Sequence, residues 1–164
     1  MNRLKLTLIL SAAGVAAAQT ASPVSLSLVM SLVSSVKVNG KDTEQLTPNP
    51  RNVLPGAVIS QVVTVRNTGG KPVRQVPVTL PVPKNTRYLT AEKGTDGLQA
   101  EYSIDGGKTF APAPLKRKVT VTENGRAITR EVEVKPSEYT SVRWVIPELG
   151  ANDTLKLGYR VQVK

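Results

Sequence analysis

The sequence predicts an all-β chain: an immunoglobulin-like antiparallel β-sandwich preceded by a cleavable signal peptide. Three observations predict it. The stretch Leu54-Pro55-Gly56 turns into the β-rich run Val58-Ile59-Ser60-Gln61-Val62-Val63-Thr64-Val65, which closes on Asn67-Thr68-Gly69-Gly70; a proline-glycine turn feeding a strand that stops at an Asn/Gly turn is a hairpin-rich signature. Further short aliphatic runs bounded by Gly, Pro and Asn follow through residues 51–163, at the spacing of sandwich strands. After the first 18 residues no segment carries a convincing helical repeat, and no internal repeat is visible.

Residues 1–18 read as the signal. Arg3 and Lys5 make a basic start, Leu4 to Val15 is mostly apolar, and Ala16-Ala17-Ala18 offers small residues for cleavage before Gln19. The apolar part is shorter than the ~20 residues of a membrane-spanning helix, and no later stretch of the mature chain reads as transmembrane. The chain is therefore expected to be exported, to the periplasm or the cell surface and envelope. Cleavage leaves 146 of 164 residues, the size of one domain. Net charge falls from +10 to +8 with the loss of Arg3 and Lys5. Such an excess attracts polyanions, and it also simply keeps a protein soluble.

The chain has no Cys and no His. The fold must then rest on its apolar core, without disulfides. Ser-His-Asp and Cys-His catalysis and the usual zinc and copper ligand sets are excluded, while a calcium site built from oxygen ligands is not. The reading is that the chain is not an enzyme, uses no cofactor and has no catalytic or metal site.

Residues 19–50 form an N-terminal β arm and a Pro-rich linker. Val24, Leu26, Leu28, Met30 and Leu32 alternate onto one face, with Ser25, Ser27 and Ser31 opposite, together with Val29 and Val33. Val36-Lys37-Val38 then meets the turn pair Asn39-Gly40, and Thr47-Pro48-Asn49-Pro50 is a stiff break. The arm is either the first strand or hairpin of the same sandwich or a strand added to a partner's sheet edge.

Residues 51–164 are the sandwich. After the strand at 58–65, Val73–Val78 contains Pro77, which argues for an edge position. Thr86–Leu89 follows Pro81-Val82-Pro83, and Leu98–Ile104 leads into the turn Asp105-Gly106-Gly107. A long hairpin spans 115–134. A two-residue turn at Asn124-Gly125 sets Glu123 against Arg126, Val121 against Ile128, Lys118 against Glu131 and Lys116 against Glu133. Its other face holds Leu115, Val119, Val121, Ile128, Val132 and Val134, together with Arg117, Arg126 and Arg130, so only partial cover is expected. Val142-Arg143-Trp144-Val145-Ile146 ends at Pro147, with Trp144 read as core. Leu155, Leu157, Tyr159, Val161 and Val163 share one face of the last strand.

The body, roughly 51–163, resembles a family of bacterial cell-surface modules, the "conserved repeat" domain of unknown function numbered eleven. Leu54-Pro55-Gly56, Val63-Thr64-Val65-Arg66-Asn67-Thr68-Gly69, Pro81-Val82-Pro83 with Asn85-Thr86-Arg87-Tyr88, Tyr102 to Phe110 and Tyr139 to Trp144 carry the resemblance. It implies an immunoglobulin-like sandwich at the surface or in the envelope, and brings no enzymatic activity with it. Gln61 stands where the family usually has an aromatic, Ala57 where an acidic residue is common, and Thr79-Leu80 where an aspartate precedes the Pro-x-Pro turn.

Other motifs weigh little. Gly106-Gly107-Lys108-Thr109 lacks the first glycine and the following helix of a phosphate loop. Ser34 and Lys37 would point to opposite faces of a strand. Asn152-Asp153-Thr154 reads as a turn, and Asp96, Glu101, Asp105, Glu123, Glu148 and Asp153 are scattered. Two surfaces stand out. Lys116, Arg117, Lys118, Arg126 and Arg130 form the densest basic patch, a candidate site for an anionic partner such as an acidic glycan or lipopolysaccharide. Val24, Leu26, Leu28, Met30 and Leu32 form a candidate partner strand. The leading expectation is a non-enzymatic structural or interaction module of the bacterial envelope, an accessory subunit of a surface-layer or outer-membrane assembly with envelope proteins as partners. The alternative is a polyanion- or carbohydrate-binding envelope protein using the basic hairpin. Nucleic acid is not expected, since no stacking aromatics accompany the patch.

Overall fold

A computed structural model describes residues 22–93, 97–123 and 125–164. The expected signal at 1–18, Asp96, and Asn124 of the expected Asn124-Gly125 turn lie outside the described residues. The chain is all-β, with every strand pairing antiparallel. The strands are β1 (Val24–Val38), β2 (Lys41–Pro48), β3 (Val58–Asn67), β4 (Val73–Pro81), β5 (Thr86–Ala91), β6 (Glu101–Ser103), β7 (Ala111–Pro112), β8 (Lys116–Glu123), β9 (Arg126–Glu133), β10 (Ser141–Leu149) and β11 (Thr154–Val163). One sheet runs β2-β1-β3-β11-β5, a second β4-β10-β6-β7, and β8-β9 stands as a two-stranded ribbon.

Alternation decides what is buried. Ile59, Val63 and Val65 of β3 and Leu157, Tyr159 and Val161 of β11 meet Val78 and Leu80 of β4 and Val142, Trp144 and Ile146 of β10 in one core. Trp144 stacks on Tyr159 across the two sheets, ring centroids 6.4 Å apart. Tyr88 on β5 meets Tyr102 on β6 edge-on at 5.3 Å, and Tyr102 stacks on Tyr139 at 4.6 Å. These contacts set β11 opposite β10 and β5 opposite β6. Each aliphatic side chain withdrawn from water contributes about 1.5–3 kcal/mol, which is how a chain without Cys holds two sheets together.

Several expectations hold. Pro77 lies on β4, an edge strand. The hairpin register is as read, with Glu123 opposite Arg126, Lys118 opposite Glu131 and Lys116 opposite Glu133. Trp144 is buried. Others change. The strand expected over 98–104 contracts to Glu101–Ser103. β10 passes Pro147, and the paired register steps over that residue between Ile146 and Glu148, because proline has no N–H to give to a ladder. The turn expected at Asn39 (φ 50°) and Gly40 (φ 78°) folds the arm into a hairpin, and the expected break at Thr47-Pro48 is the end of its second strand, β2. Its residues are almost all polar and exposed, so no aliphatic alternation announces it.

Candidate functional site

The arm strand β1 is part of this chain's own first sheet. Val24–Val33 pairs with β3, so that Leu26 lies opposite Val65, Leu28 opposite Val63, Met30 opposite Gln61 and Leu32 opposite Ile59. Their side chains therefore share the core-facing side of the sheet. Val63 and Val65 are buried, yet Leu26, Leu28 and Met30 are 59%, 48% and 44% exposed. The second sheet ends at β4, so among the described residues no strand is stacked over this part of β1. Val24 and Leu32 are half-buried. A groove lined by Val24, Leu26, Val73, Val76 and Pro77 runs between β1 and β4. A second hollow, lined by Met30, Pro50, Val53 and Ile59, continues along the same stripe.

The backbone edge of β1 is also partly open. β2 pairs only with Ser31–Val38, and Asn49 N–H closes the shielded part by donating to the Met30 carbonyl at 2.8 Å. Residues 24–29 have β3 on one side and no strand on the other among the described residues.

The β1–β2 hairpin is pinned by a charge cluster that sequence reading missed. Arg160 on β11 donates through Nε and Nη2 to Glu92 at 2.7–3.1 Å, and through Nη1 and Nη2 to Glu44 of β2 at 2.9 and 3.0 Å. Lys93 Nζ stands 3.5 Å from Glu44. The hydrogen bonds from Arg160 hold the Glu44 carboxyl down at about 2. Burial pushes Glu92 up, but its hydrogen bonds, led by those from Arg160, outweigh that and leave it lowered. The two carboxylates in turn raise Arg160 against the effect of its own burial. No motif flags these three residues; Arg160 reads only as the polar partner in an alternating strand.

The basic hairpin projects from the body. Leu115 and Val134 at its root are buried, Val119, Val121 and Val132 are half-buried and Ile128 is 39% exposed. Lys116, Arg117, Lys118, Arg126 and Arg130 are all exposed. They are not a bare cationic surface. Arg117 Nη1 pairs with Glu138 at 2.5 Å and Arg130 Nη2 with Glu123 at 2.7 Å, while Lys116 and Lys118 face Glu133 and Glu131 across the ladder.

The remaining motifs become structural. Asp105 accepts from Ser103 Oγ, the N–H groups of Lys108 and Thr109, and Thr109 Oγ1, at 2.7–3.0 Å. Those donors, Thr109 first, keep its carboxyl well below the usual range. The Lys108 and Thr109 amides thus close on an acid while those of Gly106 and Gly107 donate to Thr140 Oγ1 and Ser103 Oγ, so none is presented to a phosphate. Glu101 is engaged by Arg143 at 2.6 Å, and Arg143 lies over the Phe110 ring. Among the described residues no group of three His, Cys, Asp or Glu side chains could hold a metal ion, and no helix is long and apolar enough to cross a membrane.

Comparison with known proteins adds one relationship. The chain is 35% identical over 75 residues to the PI-type, PII-type and PIII-type proteinases of Lactococcus lactis subsp. cremoris. A PII-type proteinase of Lacticaseibacillus paracasei matches to the same extent. The shared segment is 46% of this chain and 4% of each proteinase. No family model matches the chain, and no solved structure does. The expectation that the chain is not an enzyme is corrected by this finding, because the similarity found is to proteinases. A shared segment of 4% equally assigns this chain no catalytic residue.

Proposed function

We propose that this chain is an exported β-domain of the bacterial cell envelope that recognises a protein partner through the open β1 edge. The observation that carries the reading is the uncovered row Leu26, Leu28 and Met30, which points to the core side of its sheet yet remains about half exposed. A monomer in water has no reason to keep such a contiguous apolar row, and stripes of this kind mark interaction surfaces. The basic leader-like start and the partial similarity to bacterial proteinases support an envelope setting. An immunoglobulin-like topology and kinship with the "conserved repeat" surface modules belong to the same proposal. The hairpin is the weaker candidate surface, since most of its cations already have carboxylates nearby.

The test is crosslinking in the native envelope with a photoreactive residue at position 28, against one at position 120 on the hairpin. Position 28 should give specific protein adducts that a Leu26→Lys change abolishes. Adducts from position 120 alone, or none from position 28, would overturn the proposal.

A further inference from the structure

We propose that the partner of β1 includes a second copy of this chain, paired antiparallel across a two-fold axis at Ser27. The proposal rests on the reading of β1 as an interaction edge and names what occupies it.

The first argument is which edges are guarded. Natural edge strands are blunted by charge, proline, bulges or brevity. β2 carries Lys41, Asp42 and Glu44; β4 carries Arg74, Pro77 and Pro81, with Gln75 at φ 51°; β5 has six residues and includes Arg87; β7 has two residues and abuts Pro114. The ribbon β8-β9 is lined with charge. The stretch 24–29 has none of these devices.

The second argument is charge. The chain carries +10, so two copies repel over most of their surfaces. From Ser22 to Val36 there is no charged residue. A copy can approach this edge without setting like charges against each other.

The third argument is register. The Met30 carbonyl points to the outer edge, where Asn49 N–H meets it. Backbone groups alternate sides along a strand, so the N–H and C=O groups of Leu26 and Leu28 also point outward. A two-fold axis at Ser27 sets Leu26 opposite Leu28 of the second copy and Leu28 opposite its Leu26. Both are hydrogen-bonding positions, and both leucine pairs fall on one face, where cross-strand apolar pairs stabilise a sheet. The contact is isologous, so it closes as a dimer and does not propagate. With Met30 already bonded to Asn49, residues 25–29 of each copy pair; a five-residue strand pair is small, so the dimer belongs to the weak class of interfaces.

The chain has no cysteine, which makes the test register-specific. Ser27→Cys and Ser25→Cys are made in the mature chain, residues 19–164. In the proposed register residue 27 faces its own copy and residue 25 faces residue 29. Ser27→Cys should oxidise to a covalent dimer at least tenfold faster than Ser25→Cys. Sedimentation equilibrium from micromolar to millimolar concentration should show a monomer–dimer equilibrium, and Leu28→Lys, at a site already half exposed, should weaken it at least tenfold with the melting temperature unchanged. Equal oxidation rates, or a monomer throughout, would overturn the second copy. If envelope crosslinking at position 28 then still yields a different protein, the interaction reading stands; if it yields none, both fall.

Discussion

Arg160 holds Glu44 in a two-pronged ion pair, Nη1 to Oε1 at 2.9 Å and Nη2 to Oε2 at 3.0 Å, while the same guanidinium is held by Glu92. The residues come from opposite ends of the chain, so this pair ties β2 directly to β11, beyond the ladder that joins β1 to β3. Arg160 and Glu92 side chains are only 10% and 6% exposed, whereas Glu44 is 44% exposed. Removing Arg160 strands a buried carboxylate, and breaking one side of a buried pair costs about 3–5 kcal/mol. Arg160→Met should therefore lower the urea midpoint strongly. Glu44→Gln should leave it nearly unchanged and accelerate amide exchange in Lys41–Pro48. Equal urea midpoints for the two variants would show that burial is not what distinguishes them.

The same cluster fixes an acid response. Glu44 titrates at about 2 in the folded chain, below the ordinary carboxylate value near 4.3. A depressed folded value means that the ionised form is favoured by folding. The contribution is complete above the unfolded value and is lost as pH falls from about 4.5 toward 2. Amide exchange in β2 should rise across that interval before the core residues of β3 respond. A carboxyl resonance of Glu44 titrating near 4.3 by NMR would contradict the arrangement.

How much of this was legible depends on how local the cause is. Alternation and turn chemistry act within a few residues, so β3, β11, the edge position of β4 and the register set by the turn before Arg126 could be read directly. β2 was announced only by its turn at Asn39-Gly40, because Lys41–Pro48 itself carries almost no apolar signal and becomes a strand by pairing with β1. Arg160, Glu92 and Glu44 are invisible for a different reason: each is an ordinary polar residue until β11, β2 and the residue that follows β5 are brought together. The stripe on β1 was visible as a pattern, but its exposure follows from the second sheet stopping at β4, which no local pattern encodes.

Gln61 shows a departure from core chemistry with a measurable consequence. It is 2% exposed; its Oε1 accepts from Tyr159 Oη at 3.2 Å, and its Nε2 has no hydrogen-bond partner among the described residues. Tyr159 Oη has a shorter bond to the Pro81 carbonyl, 2.7 Å, so it does not depend on Gln61. A buried donor without a partner costs about 1–3 kcal/mol. Gln61→Met, similar in length and apolar, should stabilise the fold by about 1 kcal/mol in chemical denaturation. A loss of stability would mean that the amide is solvated or paired in solution.

Next to it in the sheet, Gly158 pairs with Val62, and a Cβ there would run into the Gln61 carbonyl oxygen and come within 3.2 Å of Val62 Cα. Both obstacles include backbone of the central strand, which cannot rotate away. Gly158→Ala should destabilise by about 1–3 kcal/mol, despite alanine's smaller loss of chain entropy on folding. A neutral or stabilising result would show that β3 and β11 can separate at this point.

Asn67 gives the sharpest chemical test, because its two side-chain ends do different work. Its Nδ2 donates to the carbonyls of Lys71 at 2.8 Å, Leu149 at 3.1 Å and Gly150 at 2.8 Å, and its Oδ1 accepts from Gly69 N–H at 2.9 Å. The residue is fully buried, so it ties the end of β3 to the end of β10 as well as closing the turn that its sequence context announces. Asn67→Ala removes both ends and leaves carbonyls less satisfied, a cost of about 1–3 kcal/mol. Asn67→Asp keeps the acceptor but sets a buried carboxylate oxygen against three carbonyl oxygens. Burying an unpaired charge is costlier than losing a neutral hydrogen bond, so Asp should be the more destabilising replacement at neutral pH. That environment raises the carboxyl's folded-state pKa above its unfolded value. The penalty is then present above the raised value and relieved as pH falls through it, when the protonated acid can donate to a carbonyl again. Urea unfolding at pH 7 and pH 5 checks both parts. An Asp variant as stable as the Ala variant at pH 7 would show that the Nδ2 donors are not what joins these two strand ends.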